Sequence, residues 1–242
     1  MIGLRIANIA KKIAEDIENK YVYDPDHENK PQDGGNWHET PQGWSTYDVE
    51  NRKFNDDEEI NKETTIRIRN VDSDEEFSTT ISKARETVDA RNRWRVDAKS
   101  PEDYKGTKKF VSKHGGCVAV TPDSDIVSVC CPTKKERGHM LLKLAVANGG
   151  NKLDAFGPRL YDFYTRNGFE PVSCTDFDEQ YAPDGWEKGV DKKEPIVFYV
   201  YTGKPYTEKT FDEFVSSVEH KDYDVAYAER DNVLKQRKGE QK

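Results

Sequence analysis

Residues 138–169 read GHMLLKLAVANGGNKLDAFGPRLYDFYTRNGF, and the punctuation of this stretch decides the architecture. Met140, Leu141, Leu144, Ala145 and Asn148 follow helical spacing, and Gly149-Gly150 stops the helix. KLDAF (152–156) is a short strand, residues 158–167 form a second helix opened by proline, and Gly168 ends it before the strand FEPVSC (169–174). Immediately upstream, CVAVT (117–121) and IVSVCC (126–131) flank the turn Pro122-Asp123-Ser124-Asp125 and read as a hairpin of two mostly buried strands. A polar loop, 132–137, joins the hairpin to Gly138. Strand, loop, helix, strand, helix, strand is the pattern of a crossover unit, which sets helices against a sheet. PIVFYVY (195–201) supplies a final strand.

Farther out the signals thin. TTIRIRNV (64–71) alternates like an edge strand, 77–90 is a weak helix, and Trp94 to Val96 suits a short strand. Ser100-Pro101-Glu102-Asp103 is a helix start, and the expected helix runs over 101–113. Residues 207–242 form a charged helical tail, with helices over 211–218 and 223–235. At the other end, Ile2, Leu4, Ile6, Ile9 and Ile13 make one apolar face of a helix within 1–20, suited to packing on the domain or docking on a protein partner. Residues 21–76 open with an acidic, irregular linker whose clearest breaks are PQDGGN and NDDEE. Little regular structure is expected from 21 to about 63. The organised domain is therefore 77–206.

The totals bound the function. With 242 residues, one substantial core with extensions is the expected count. A net charge of -8 argues against coating a nucleic-acid backbone, which needs a concentrated positive field. The four cysteines, Cys117, Cys130, Cys131 and Cys174, lack the CxxC spacing of a zinc or redox site, so no metal is expected. No apolar run is long enough for a membrane span, and a cytoplasmic location is expected.

Chemistry concentrates in the loop at 133–139. A helix N-terminus offers free N–H groups and a favourable dipole to a diphosphate, and Lys134, Lys135 and Arg137 add positive charge. An ordinary strand-to-helix turn with solvated lysines is the plainer alternative.

ERGHMLLKLA, KLDAF and RLYDFYTRNGFEPV together resemble the second half of the GNAT superfamily of N-acetyltransferases, closely over about 70 residues and loosely over 130. The resemblance implies an α+β fold, a mixed and mostly antiparallel central sheet flanked by helices, and acetyl-CoA as cosubstrate. It also implies direct transfer of the acetyl group to an amine of a protein or small molecule. On this basis Lys134, Lys135, Arg137, Gly138 and His139 would hold the pyrophosphate, and Val129, Cys130 and Cys131 would pair with the pantetheine arm through their main chain. Tyr164 matches the tyrosine that protonates the departing thiolate, which suits a phenol with an unperturbed pKa near 10. Two positions depart from the family loop: Glu136 stands where a glycine is usual, and Thr133 where a Gln or Arg opens the loop. They leave a second reading open, a GNAT-shaped binding or structural module without cofactor use. A nucleophilic Cys130 or Cys131 activated by His139 or Lys134 is a third. The proton acceptor is left among Asp125, Glu136 and Glu170, and FDEQYAPDGW (177–186) is a candidate cover for the substrate side. The strand and helix segments also resemble GNAT-like proteins of phages and mobile elements, which would put the protein in a host cytoplasm.

Overall fold

The computed structural model describes residues 45–48, 53–54, 65–132 and 138–240. The helix expected within 1–20, and Thr133, Lys134, Lys135, Glu136 and Arg137, lie outside them. The fold is mixed α+β, with antiparallel sheets flanked by helices. The chain divides into two compact units, one running to Val88 and resuming over Ala98–Gly150, the other made of Asp89–Asp97 and the residues from Asn151 onward.

The first unit carries a six-stranded sheet: β1 (Ser45–Asp48), β2 (Lys53–Phe54), β3 (Thr65–Asn70), β4 (Lys108–Ser112), β5 (Cys117–Val120) and β6 (Ile126–Cys130), in the order β2-β1-β3-β4-β5-β6. The β1–β2 ladder lies within 21–63, where little regular structure is expected, and the other residues of that stretch are outside the described part. β1 also pairs along β3, with Tyr47 opposite Ile66, and a pairing of that kind depends on a distant strand and leaves no mark on local composition.

Helix α1 (Asp74–Thr87) begins earlier than its apolar spacing suggested. The Ser73 hydroxyl accepts from the Glu76 N–H at 3.1 Å, and Asp74, Glu75 and Glu76 complement the dipole of the first turn. Phe77, Ile81 and Ala84, one turn apart, are its buried stripe. The helix expected over 101–113 is instead a single 3-10 turn, Pro101–Tyr104, followed by β4. The turn is closed from one side: the Asp103 carboxylate accepts from the Ser100 N–H at 3.2 Å and from the Ser100 hydroxyl at 2.7 Å, while the Asp103 N–H donates to the Ser100 carbonyl at 3.1 Å. Gly106 then turns the chain at φ +72, a conformation glycine adopts freely, and the β-prone Phe110 and Val111 bury between β3 and β5. Trp94 to Val96 is likewise not a strand, because a short helix α2 (Ala90–Arg93), capped by the Asp89 carboxylate, runs into a turn there. Helix α3 (Gly138–Ala147) packs on β3, β5 and β6 and buries Met140, Leu141, Leu142, Leu144 and Ala145, each large side chain worth about 1.5–3 kcal/mol.

The second unit holds a three-stranded antiparallel sheet of β7 (Lys152–Phe156), β8 (Phe169–Thr175) and β9 (Ile196–Tyr201), in the order β7-β9-β8. Helices α4 (Gly157–Arg166), α5 (Phe211–Ser217) and α6 (Tyr223–Glu240) complete it. The central strand β9 explains why helices cover both faces. Successive residues point to opposite sides, so Tyr199 meets Tyr161 and Tyr164 of α4, while Phe198 meets Tyr223 and Arg230 of α6. The charged C-terminal tail is thus part of the core of this unit. Arg230 is fully buried, with its guanidinium 4.2 Å from the Tyr227 ring centroid and Nε 3.2 Å from Asp231.

His220 fastens the turn between α5 and α6 to the end of β8. Nδ1 is 2.6 Å from the Asp176 carboxylate and Nε2 is 3.0 Å from the Val215 carbonyl. Both partners only accept, so both ring nitrogens donate and the bonded form is the imidazolium. The Asp176 hydrogen bond raises the His220 pKa above its ordinary value. A raised folded-state pKa gives stability that is complete below the unfolded value of about 6.5 and is lost as pH climbs through the folded one. His220→Ala is therefore expected to destabilise by about 0.5–1 kcal/mol at pH 5.5, a modest figure for an exposed pair, and by less at pH 9. Urea unfolding of both proteins at the two pH values checks this, and a pH-independent gap would contradict it.

Candidate active site

Among the described residues the sheet of the first unit ends at β6, and the register of that strand breaks. Val127 pairs with Ala119 and Cys130 with Cys117, so Ser128 and Val129 together face the single residue Val118. This is a β-bulge, with two residues opposing one. Its first residue, Ser128, sits at φ +55, a left-handed conformation that side chains other than glycine's rarely adopt. The Ser128 hydroxyl is buried and lies 2.7 Å from the Tyr104 hydroxyl. Linear reading misses the bulge, because DIVSVCC looks like an uninterrupted strand. The one signal it offers is a polar serine in an apolar run.

Val129 and Cys131 are half-buried and Cys130 is buried. Burial pushes the Cys130 thiol up to about 12, which leaves it protonated at neutral pH. Burial therefore weighs against a nucleophilic Cys130, since the thiolate is the attacking form. Gly138 and His139 open α3 half-buried, and no acidic residue occupies the first turn of that helix. Of the expected pyrophosphate loop, only these two residues belong to the described part.

Val129, Cys130, Cys131, Gly138 and His139 lie in the first unit and Tyr164 in the second. Tyr164 is 6% exposed, on the face of α4 that meets the sheet. Its ring centroid lies 5.3 Å from Phe163, 6.0 Å from Phe169 and 5.6 Å from Tyr199. The Tyr199 hydroxyl beside it is buried without a hydrogen-bond partner, and burial holds its pKa well above the ordinary phenol value. Among the proton-acceptor candidates, Asp125 is buried in the β5–β6 turn and Glu170 is engaged by Arg237 at 2.7 Å.

No family model matches the chain, and no curated protein or solved structure matches it. Among the described residues there is no cluster of three or more His, Cys, Asp or Glu side chains able to hold a metal ion, and no helix is long and apolar enough to cross a membrane.

The segment between β8 and β9 is built, not loose. Phe177 and Trp186 stack at 4.9 Å, and Phe177 packs on Phe156 at 6.0 Å and on Trp94 at 6.4 Å. Arg95, stacked on Trp94 at 4.2 Å, donates from Nε and Nη2 to Glu194. Gly157, at φ +71, lies so close to that carboxylate that a Cβ there would collide with it.

Proposed function

We propose that the chain is an acetyl-CoA-dependent N-acetyltransferase of the GNAT type. The observation that carries this reading is β6: an edge strand whose ladder is broken at Ser128 and Val129, shortly before an apolar helix whose first turn is free of acids. An edge strand has one row of main-chain N–H and C=O groups that its own sheet does not use, which suits the amides of a pantetheine arm. A following helix N-terminus suits a diphosphate. The succession of β7, α4 and β8 supports the reading, because the resemblance runs through a strand and then a helix that ends at Gly168-Phe169.

The roles follow from the chemistry. Main-chain groups of Val129, Cys130 and Cys131 hold pantetheine, and Lys134, Lys135, Arg137, Gly138 and His139 hold the pyrophosphate. The neutral amine attacks the thioester carbonyl, the C–S bond breaks, and the thiolate takes a proton from Tyr164 while the amine loses one to a carboxylate or water. The acceptor is an amine of a protein or small molecule, and the compartment is the cytoplasm, of a host if the chain is phage-encoded. No covalent enzyme intermediate is needed, in keeping with the protonated Cys130.

A second reading, a GNAT-shaped binding module without turnover, is favoured by the burial of Tyr164 and by Glu136 in the loop. Calorimetric titration with acetyl-CoA separates the two. Wild type is expected to bind, and Glu136→Gly to bind about tenfold more tightly, because it removes a negative charge from an anion site and lets the backbone approach. Binding by Glu136→Gly alone would select the module; binding by neither protein would remove acetyl-CoA from the account.

A further inference from the structure

Ser128 has a backbone that costs energy, so something must hold it. A left-handed non-glycine residue persists only where its surroundings over-determine it, and bulges gather beside active sites, where they re-aim groups out of the ladder. The surroundings here are specific. Tyr104 is fully buried, with its ring edge-on to Phe77 of α1 at 4.8 Å. Its hydroxyl accepts the Lys99 N–H at 3.1 Å and shares a hydrogen with the Ser128 hydroxyl at 2.7 Å. Lys99 is itself tied to α1, since its carbonyl accepts from the Ser78 hydroxyl at 2.8 Å. A continuous brace therefore runs from α1 through Lys99 and Tyr104 to the first residue of the bulge, all within the first unit.

We infer that Tyr104 is a positioning residue: its hydroxyl locks Ser128 in the left-handed conformation and thereby keeps the main chain of Val129 out of the β5–β6 ladder, available to a ligand. As a statement about acetyl-CoA this rests on the proposed acetyltransferase reading, in which Val129 contacts pantetheine. As a statement about the bulge it stands on the geometry alone. Its distinguishing consequence concerns glycine, which adopts positive φ without a brace. Ser128→Gly should make the Tyr104 hydroxyl dispensable.

The test compares wild type, Tyr104→Phe, Ser128→Gly and the double variant. Tyr104→Phe keeps the ring against Phe77 and removes only the hydroxyl. It is expected to shift the Ser128 and Val129 amide resonances and to weaken acetyl-CoA binding about tenfold, the scale of one lost hydrogen bond. The double variant is expected to return both readouts to within about twofold of Ser128→Gly alone. A hydroxyl that merely stabilised the fold would give no such recovery from glycine. Wild-type resonances at Ser128 and Val129 in Tyr104→Phe would overturn the inference, as would a double variant no better than Tyr104→Phe. Should wild type bind no acetyl-CoA, the functional reading fails separately and the amide resonances alone decide the brace: movement in Tyr104→Phe with recovery in the double variant upholds it, and absence of either refutes it.

Discussion

Tyr164→Phe is expected to lower acetyl transfer by about 10²- to 10⁴-fold, the range over which a positioned general acid acts, while acetyl-CoA affinity stays within about twofold of wild type. The substitution removes a hydroxyl and nothing else. The phenyl ring still meets Phe163, Phe169 and Tyr199, all at 5.3 to 6.0 Å between centroids, so the sheet face of α4 keeps its packing. A thiolate expelled without a proton donor must wait for water, so the loss falls on turnover and not on binding. Steady-state release of free CoA thiol, measured beside calorimetric affinity, checks the pair of values. Unchanged turnover would make Tyr164 a core aromatic, as its burial by itself suggests.

Arg230→Ala is expected to destabilise the second unit by about 3 kcal/mol, toward the lower end of the range for breaking a buried ion pair, because Asp154 and Asp231 keep some contact with water. Three losses combine. The guanidinium leaves the Tyr227 and Phe198 rings, Asp231 keeps Lys152 but loses Nε, and the fully buried side chain leaves a void. Arg230→Met refills the void with an apolar chain and is expected to recover most of the loss. Urea midpoints at unchanged slope measure both variants. If Arg230→Ala and Arg230→Met were equally destabilised, charge pairing would be the whole effect; if neither were, the tail would not be part of the core.

These two residues mark what a linear reading reaches. The helix that carries Tyr164 was legible because Tyr-Thr-Arg-Asn-Gly-Phe carries its own punctuation, a stop at Gly168, and α4 and β8 fall where that punctuation puts them. The β5–β6 hairpin, α3 and β9 were legible for the same reason: their apolar runs are bounded by Gly, Pro or Asp. Arg230 was not, because its burial depends on Asp154, Tyr227 and Phe198, which folding gathers from two strands and a helix. Among the charged residues of the tail it looks like any other. The β4 strand was misread because Ser100 to Asp103 is a true capping signal spent on one 3-10 turn, and only the ladders to β3 and β5 reveal the strand after Gly106. The bulge at Ser128 escaped for a related reason, since its brace comes from Tyr104 and Lys99 across the unit.

The central claim is that the main chain of β6 receives the cofactor, and amide hydrogen exchange with and without saturating acetyl-CoA tests it most directly. The account predicts slowed exchange at Val129, Cys130 and Cys131 and in the first turn of α3, with smaller changes along β4 and β5. Exchange at β6 and α3 unaltered by saturating acetyl-CoA would contradict it.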